Sequence, residues 1–345
     1  PCDNPTTMSL DERFEELARS LAGFHGTWVV YLGLELGLLA AIRDAGPAGI
    51  TVDELADRAG CARRPVEVWA QAAHAYELAE HDGERLRIDR DAAEILLDTH
   101  LPEYLGGQFV HAAVASLDYD RLAEVFRTGQ PAAGRPDRFR TSIERLTVQD
   151  VAVFFQEGLA ALPELVVDLA RGLRVVDIHC GGARWLIAMA KRFPASSFMG
   201  VEFEPDSVAR ARANVAEAGL AGSIEIVEAD FPAIDRSAGG FDVSYFQYAL
   251  HREDYSVRSL AAGWAALRPG GRLLALDWCA PASLDDWSGL HGQFIAGIQI
   301  DGVFQGTRLR TESEFLELFR AAGVTPPDVI DLPSGATLFV ARRPA

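Results

Sequence analysis

From Leu173 onward the chain alternates short apolar runs with stretches of helical spacing, and this alternation restricts the fold more than any other feature of the sequence. The runs are "RVVDIH", "SSFMGVEF", "SIEIVEAD", "FDVSYFQYAL" and "GRLLALDW". Strand and helix in alternation imply a parallel sheet with helices on both faces, because parallel neighbours need a crossover long enough to hold a helix. Two further runs, about 328–333 and 336–342, flank "PSG", which suits a tight hairpin closing the sheet edge. The expectation is an α/β domain with a seven-stranded, mostly parallel, Rossmann-like sheet ending in an antiparallel hairpin.

Ligands of open parallel sheets bind beyond the carboxyl ends of the strands, so the residues just after each run carry the chemistry. Asp177 ends the first and is followed by His-Cys-Gly-Gly-Ala; Glu202 ends the second and Asp230 the third. An acid on the second strand can accept hydrogen bonds from two ribose hydroxyls, and one on the third from an adenine amino group. Phe203 and Phe231 stand beside these acids, where an aromatic face would cover a purine. Capping of the next helix is the alternative for any one of them, but their joint spacing weighs against it.

The N-terminal part reads differently. Apolar residues recur at helical spacing from Leu10 to about Arg43, predicting two long helices broken by "AGPAG". Thr51 with Glu54 forms a capping box, a short helix should end at Gly60, a second should cover about 63–79, and a ribbon turns at "DGE". Helix, turn, helix and ribbon make a winged-helix unit. Such units can bind DNA, but Arg63 and Arg64 are the only clear cations on the second helix, so dimerisation or covering a substrate fits better. Residues 89–171 read as helical apart from "TGQPAAGRPDRF". The expected divisions are a mainly helical, winged-helix dimerisation domain at 1–100, a helical linker and pocket roof at 101–171, and the α/β domain at 172–345.

A formal charge of −18 opposes non-specific binding to nucleic acid or anionic lipid, which depends on neutralising phosphates. The four cysteines show neither a zinc spacing nor a disulfide framework, so reduced thiols in the cytoplasm are expected, with no metal. The longest apolar run, "TWVVYLGLELGLLAAI", is interrupted by Glu35 and falls short of the ~20 residues that cross a bilayer.

The strand-tip acids, the glycine turn and "LRPGGRLLALDW" together resemble the class I S-adenosylmethionine-dependent methyltransferases over residues 172–342. The segment "GLELGLLAAIRDAGPAGITVDELADRAG" is similar to the dimerisation region of the small-molecule O-methyltransferases within that class. The resemblance implies S-adenosylmethionine as cofactor, a small aromatic or polyketide-like substrate and a homodimer. It places Asp177, Gly181, Glu202, Asp230 and Phe231 at cofactor-binding positions, with Gln247 alongside the cofactor. In the family pattern an acid is followed by glycine at alternate positions; here His179 replaces the first glycine and Ala183 the last. Alanine substitutes for glycine where φ is negative, so the loop is expected to keep its function around Gly181. His179 is either a contact to the bound molecule or a packed, hydrogen-bonded core histidine.

His251, in "LHRED", matches the family's general base, and imidazole titrates near the pH at which a hydroxyl must lose its proton. Asp277 matches the carboxylate that orients it, although a helix cap or core histidine is the alternative reading of His251. In "QGTRLRTESEF" the family's catalytic glutamate is replaced by Leu309. Either His251 acts alone or with Asp277, or the protein keeps the cofactor and catalyses a non-methylating cyclisation, decarboxylation or hydroxylation. A cofactor-sensing DNA-binding regulator is a third reading, which the acidity disfavours. His111, Trp278, Trp287, His291, Phe294 and Phe304 are expected to line an apolar substrate pocket, or else to form interdomain core.

Overall fold

Capping boxes set the first helices of the chain. A computed structural model describes residues 8–132, 134–230, 240–251 and 255–345. In it the Ser9 hydroxyl accepts from Glu12 N–H, and the Glu12 carboxylate accepts from Ser9 N–H, starting α1 (Leu10–Glu35). Gly37, left-handed at φ 70°, then starts α2 (Leu38–Ala45), so the second helix is short rather than long. Thr51 and Glu54 form the predicted box after β1 (Ile50–Thr51) and begin α3 (Val52–Ala59), which Gly60 ends at φ 62°. Next comes α4 (Arg63–Ala75); it stops before the expected residue 79, and Glu77 beyond it takes a positive φ of 56°. The strands β2 (Glu80–His81) and β3 (Arg85–Arg87) form the ribbon, and β1 pairs antiparallel with β3. Then follow α5 (Arg90–Leu97), α6 (Gly106–Ser116), α7 (Leu122–Thr128) and α8 (Asp137–Val153).

Two compact units form. One combines residues up to Asp118 with Pro136–Gln149; the other combines Tyr119–Arg135 with Asp150–Ala345. The first is built around Leu39, Ile42, Leu55, Trp69 and Leu86, all buried. Each large apolar side chain withdrawn from water in this way contributes about 1.5–3 kcal/mol. In this unit Arg63 is engaged by Asp53 and Glu67, and Arg64 by Glu67, so the two arginines a DNA-binding reading needs are already tied to carboxylates.

The second unit continues through a π turn at Phe154–Gly158, α9 (Leu159–Ala161) and α10 (Pro163–Arg171) into the sheet. In chain order this part holds β4 (Arg174–Ile178), α11 (Arg184–Arg192), β5 (Ser197–Glu202), α12 (Pro205–Glu217), β6 (Ile224–Glu228) and β7 (Phe241–Gln247). It ends with α13 (Ser256–Ala266), β8 (Leu267–Asp277), α14 (Gly289–Gln305), α15 (Glu312–Ala321), β9 (Asp328–Asp331) and β10 (Thr337–Arg342). The sheet order is β6-β5-β4-β7-β8-β10-β9. β4 to β8 pair in parallel, while β10 runs antiparallel to both β8 and β9. The "PSG" turn closes the last hairpin, with Leu332 N–H donating to Ala336 C=O at 2.9 Å. Trp185, Phe198 and Tyr245 belong to one core layer, and Phe246, Phe315 and Phe339 to another. Strand order reverses between β4 and β7, so the switch point of the sheet lies at their carboxyl ends.

Candidate active site

The loop after β4 is shaped by its neighbour strand. His179 N–H and Cys180 N–H both donate to the Val201 carbonyl of β5, at 2.9 and 3.1 Å. Gly181 N–H then donates to Glu202 Oε2 at 3.1 Å, and Asn214 Nδ2 of α12 holds the Gly182 carbonyl at 2.9 Å. His179, Gly181 and Ala183 take φ of 63°, 51° and 61°. This corrects the expectation that alanine sits here at negative φ: all three alternate positions of the family's loop are left-handed, two of them without glycine. Hydrogen bonds to β5 hold His179 and Gly181, and Ala183 N–H donates to the Cys180 carbonyl at 2.9 Å within the loop; the left-handed backbone costs roughly 1–2 kcal/mol per non-glycine residue.

The His179 side chain packs against Ser259, Phe203 and Tyr255. Its Nε2 lies 3.0 Å from Ser259 Oγ on α13, and its ring meets Phe203 and Tyr255 at centroid distances of 5.6 and 4.7 Å. Asp177 is buried, and burial, followed by the Glu202 charge, pushes its carboxyl well above the ordinary carboxylate range.

Glu202 is pinned on three sides. Besides Gly181, the N–H groups of Phe203 and Glu204 donate to its Oε1 at 2.8 and 3.1 Å. Burial raises its pKa, and those backbone donors oppose the rise. A carboxylate has about four acceptor positions, so these bonds leave capacity for a further hydroxyl. In front of the loop the space is open: a Cβ placed on Gly181 would meet nothing within 4 Å. Asp230 is more exposed than expected and pairs with Arg258 at 3.0 Å. Phe231 lies outside the described residues, as do 252–254 of the "LHRED" segment.

At the ends of β7 and β8 the sequence-predicted residues come together with one the sequence did not reveal. Asp277 is buried at 1 % exposure; its Oδ1 accepts from Trp278 N–H at 2.9 Å, and its Oδ2 has no hydrogen-bond partner. The Leu250 N–H, adjacent to His251, also supports this carboxylate, while burial pushes its pKa up to about 7. Arg310 Nε donates to the Leu250 carbonyl at 3.0 Å, and Arg308 N–H to that of His251 at 3.4 Å, so the residues flanking Leu309 anchor the His251 segment. Leu309 itself packs with Ala280 and Ile295 against Trp278 and Trp287, an apolar cluster where the family has a carboxylate. Gln247 accepts from Tyr245 OH at 3.2 Å, and Asp150, the residue the sequence concealed, is buried, which pushes its carboxyl up to about 8 against a lowering influence of Gln247.

Trp278 gathers Tyr248, His291 and Phe294 around it at centroid distances of 6.4 to 6.5 Å. Phe304 is not among them. It is fully buried under Arg135 at 4.6 Å and beside Tyr119, so it offers no face to a ligand. His111 belongs to the first unit, where its Nδ1 lies 3.1 Å from Ser142 Oγ and its ring packs on Phe139. No group of three His, Cys, Asp or Glu side chains suited to a metal occurs among the described residues.

A switch-point loop with open space before it, beside a pinned acid on the next strand, defines a nucleoside-binding α/β enzyme. A family model described as a methyltransferase domain matches residues 175–271. The 3-hydroxy-5-methyl-1-naphthoate 3-O-methyltransferase of Streptomyces sahachiroi is 31 % identical over 314 residues, 87 % of this chain and 86 % of the relative. Aclacinomycin 10-hydroxylase RdmB of Streptomyces purpurascens is 30 % identical over 259 residues, covering 72 % and 67 %. The solved structure "PigF with SAH" superposes with a TM-score of 0.74 at 19 % identity, covering 97 % of this chain and all of that one, which supports the fold. The chain belongs to the S-adenosylmethionine-dependent small-molecule O-methyltransferases. S-adenosylmethionine is their cofactor, and the Gly181 opening and the spare acceptor capacity of Glu202 fit its nucleoside.

Proposed function

We propose that the protein methylates a hydroxyl group of a small aromatic or polyketide-like metabolite, using His251 as general base and Asp277 as the carboxylate that orients it. The observation that carries this reading is the buried carboxylate of Asp277 at the tip of β8, with one oxygen left without a hydrogen bond, beside the β7 end that leads into His251. The bound cofactor supplies an electrophilic methyl group on a sulfonium. Glu202 and the Gly181 loop hold the nucleoside, while His251 takes the acceptor's proton and Asp277 stabilises the imidazolium. Placing the reactants can contribute about 7–11 kcal/mol, and a base about 10²–10⁴-fold, so one missing carboxylate at Leu309 is compatible with activity. The aromatic group around Trp278 supports a flat acceptor, as does the relative named for a naphthoate. His251→Ala should lower kcat by about 10²–10³-fold while calorimetry finds unchanged cofactor affinity. Wild-type kcat in that variant would remove His251 from the mechanism.

The homodimer belongs to the same proposal. Leu10, Phe14, Leu17, Leu21 and Phe24 repeat at alternating intervals of four and three along α1, and all are exposed, from 85 % to 52 %. An apolar heptad stripe of this kind suits a matching helix of a second copy.

A second reading is favoured by Leu309 and by the relative named a hydroxylase: the cofactor is bound and not consumed. Product analysis separates the two, since methyl transfer yields S-adenosylhomocysteine in equal amount with methylated product.

A further inference from the structure

One face of α14 meets two parts of the second unit. His291, Phe294, Ile295, Ile298 and Gln299 recur at helical spacing and so share that face. His291 and Phe294 lie against Trp278 at ring-centroid distances of 6.4 Å, and Ile295 packs on Leu309 in the apolar cluster. One turn further on, Gln299 takes both backbone groups of residue 309: its Oε1 accepts from Leu309 N–H at 2.8 Å, and its Nε2 donates to the Leu309 carbonyl at 3.4 Å. Residues 307–311 join α14 to α15 without helix or strand of their own, so their backbone groups need partners of this kind. The amide, with an acceptor and a donor side by side, serves residue 309 as a neighbouring strand would. On either side of Leu309 the segment reaches the ends of β7 and β8. Arg308 N–H donates to the His251 carbonyl at 3.4 Å, and Arg310 Nε to the Leu250 carbonyl at 3.0 Å. Ala280 N–H, just past Asp277, donates to the Arg310 carbonyl at 2.7 Å. The Arg308 guanidinium is held in turn by both carboxylate oxygens of Glu314, at 3.0 and 2.8 Å.

We propose that Gln299 is a positioning residue that acts on the reaction through His251: it fixes residue 309, and Arg308 and Arg310 pass that placement to the carbonyls of His251 and Leu250. Where the family carries a carboxylate, Leu309 turns its side chain into the apolar cluster, and the segment's hydrogen bond to His251 is made by the Arg308 backbone. The helix face that clamps this segment also carries the side chains that meet Trp278, so one element sets the aromatic wall and the base together. A base must lie within hydrogen-bond reach of the proton it takes, and a misplacement of about 1 Å can cost about 10²-fold. The proposal rests on the reading of His251 as general base.

The test is a double-mutant cycle of Gln299→Met and His251→Ala, with 2-naphthol as acceptor and S-adenosylhomocysteine formation as the measure of turnover. Methionine keeps the length of the side chain and makes neither bond. Gln299→Met should lower kcat by about 10- to 100-fold, with cofactor affinity unchanged and KM for 2-naphthol within about threefold. Gln299→Glu, which still accepts from Leu309 N–H, should restore part of the loss. In the His251→Ala background the loss caused by Gln299→Met should vanish, because effects that pass through one group do not add. Wild-type kcat in Gln299→Met, or an equal loss in both backgrounds, would overturn the positioning role while His251 stands as base. Wild-type kcat in His251→Ala would remove the base and this role with it. NMR of the protein carrying ring-¹³C histidine, free of cofactor and acceptor, decides the matter if 2-naphthol is not turned over. The resonance missing from His251→Ala should shift or broaden in Gln299→Met while the histidines of the first unit stay in place; an unchanged His251 resonance would sink the proposal. If Gln299→Met does not fold, Gln299→Glu takes its place in both measurements, with effects of the same sign and smaller size.

Discussion

His179 and Ala183 hold a left-handed backbone that glycine would adopt freely. Ala183→Gly should therefore stabilise the fold by about 0.5–1 kcal/mol, since the relief of strain exceeds the added freedom of the unfolded chain. Urea unfolding measures the change, and a loss of stability would mean that the alanine methyl, buried in the core layer, contributes more than its backbone costs. The residues at the strand tips were legible because strand endings follow from the pattern of apolar runs. The sign of φ was not, because nothing in the words His and Ala announces a left-handed turn. Asp150 was hidden for another reason: a single acid within "TVQDVAVFF" reads as the wet side of a helix, and only the folded chain buries it.

At the scale of elements, the sheet was readable to the last hairpin, whereas helix lengths were not. The expected end of α4 failed because Glu77 turns the chain at positive φ, a break that carries no proline or glycine to mark it. The strand tips and the end of α8 also concentrate acids that prefer their protons. Asp150, Asp277, Asp177 and Glu202 all titrate above the ordinary range, chiefly through burial. The folded chain then binds protons more tightly than the unfolded one between about pH 4 and 8. Stability is highest at the low end of that window and falls as pH rises through the folded values near 7 and 8. Glu314, held near 2 chiefly by hydrogen bonds from Arg308, has the opposite sign, but its stabilisation is lost only in more acidic solution. Calorimetric scans should show Tm declining from pH 5.5 to 8.5, with a shallower decline in Asp150→Asn. A flat profile in the wild type would contradict the burial of charged acids at the strand ends.

For the whole molecule, the stripe on α1 makes association the measurable property. The four-and-three spacing was written in the sequence, but whether a fold covers it can be known only from the structure, which leaves it bare. Replacing Leu17 and Leu21 by glutamate should convert a dimer to a monomer in sedimentation velocity while the circular dichroism stays unchanged; a dimer that persists places the contact elsewhere. The path of the chain between the two units has its own consequence. It passes from the first unit to the second after Asp118, returns after Arg135 and leaves again after Gln149. A cut after Gln149 keeps all of the first unit on one fragment but carries residues 119–135 of the second with it, so no single cleavage parts the two units cleanly. A gene ending there would encode a complete first unit with a stray piece of the second, and insertions and deletions between 119 and 149 fall on pieces of both.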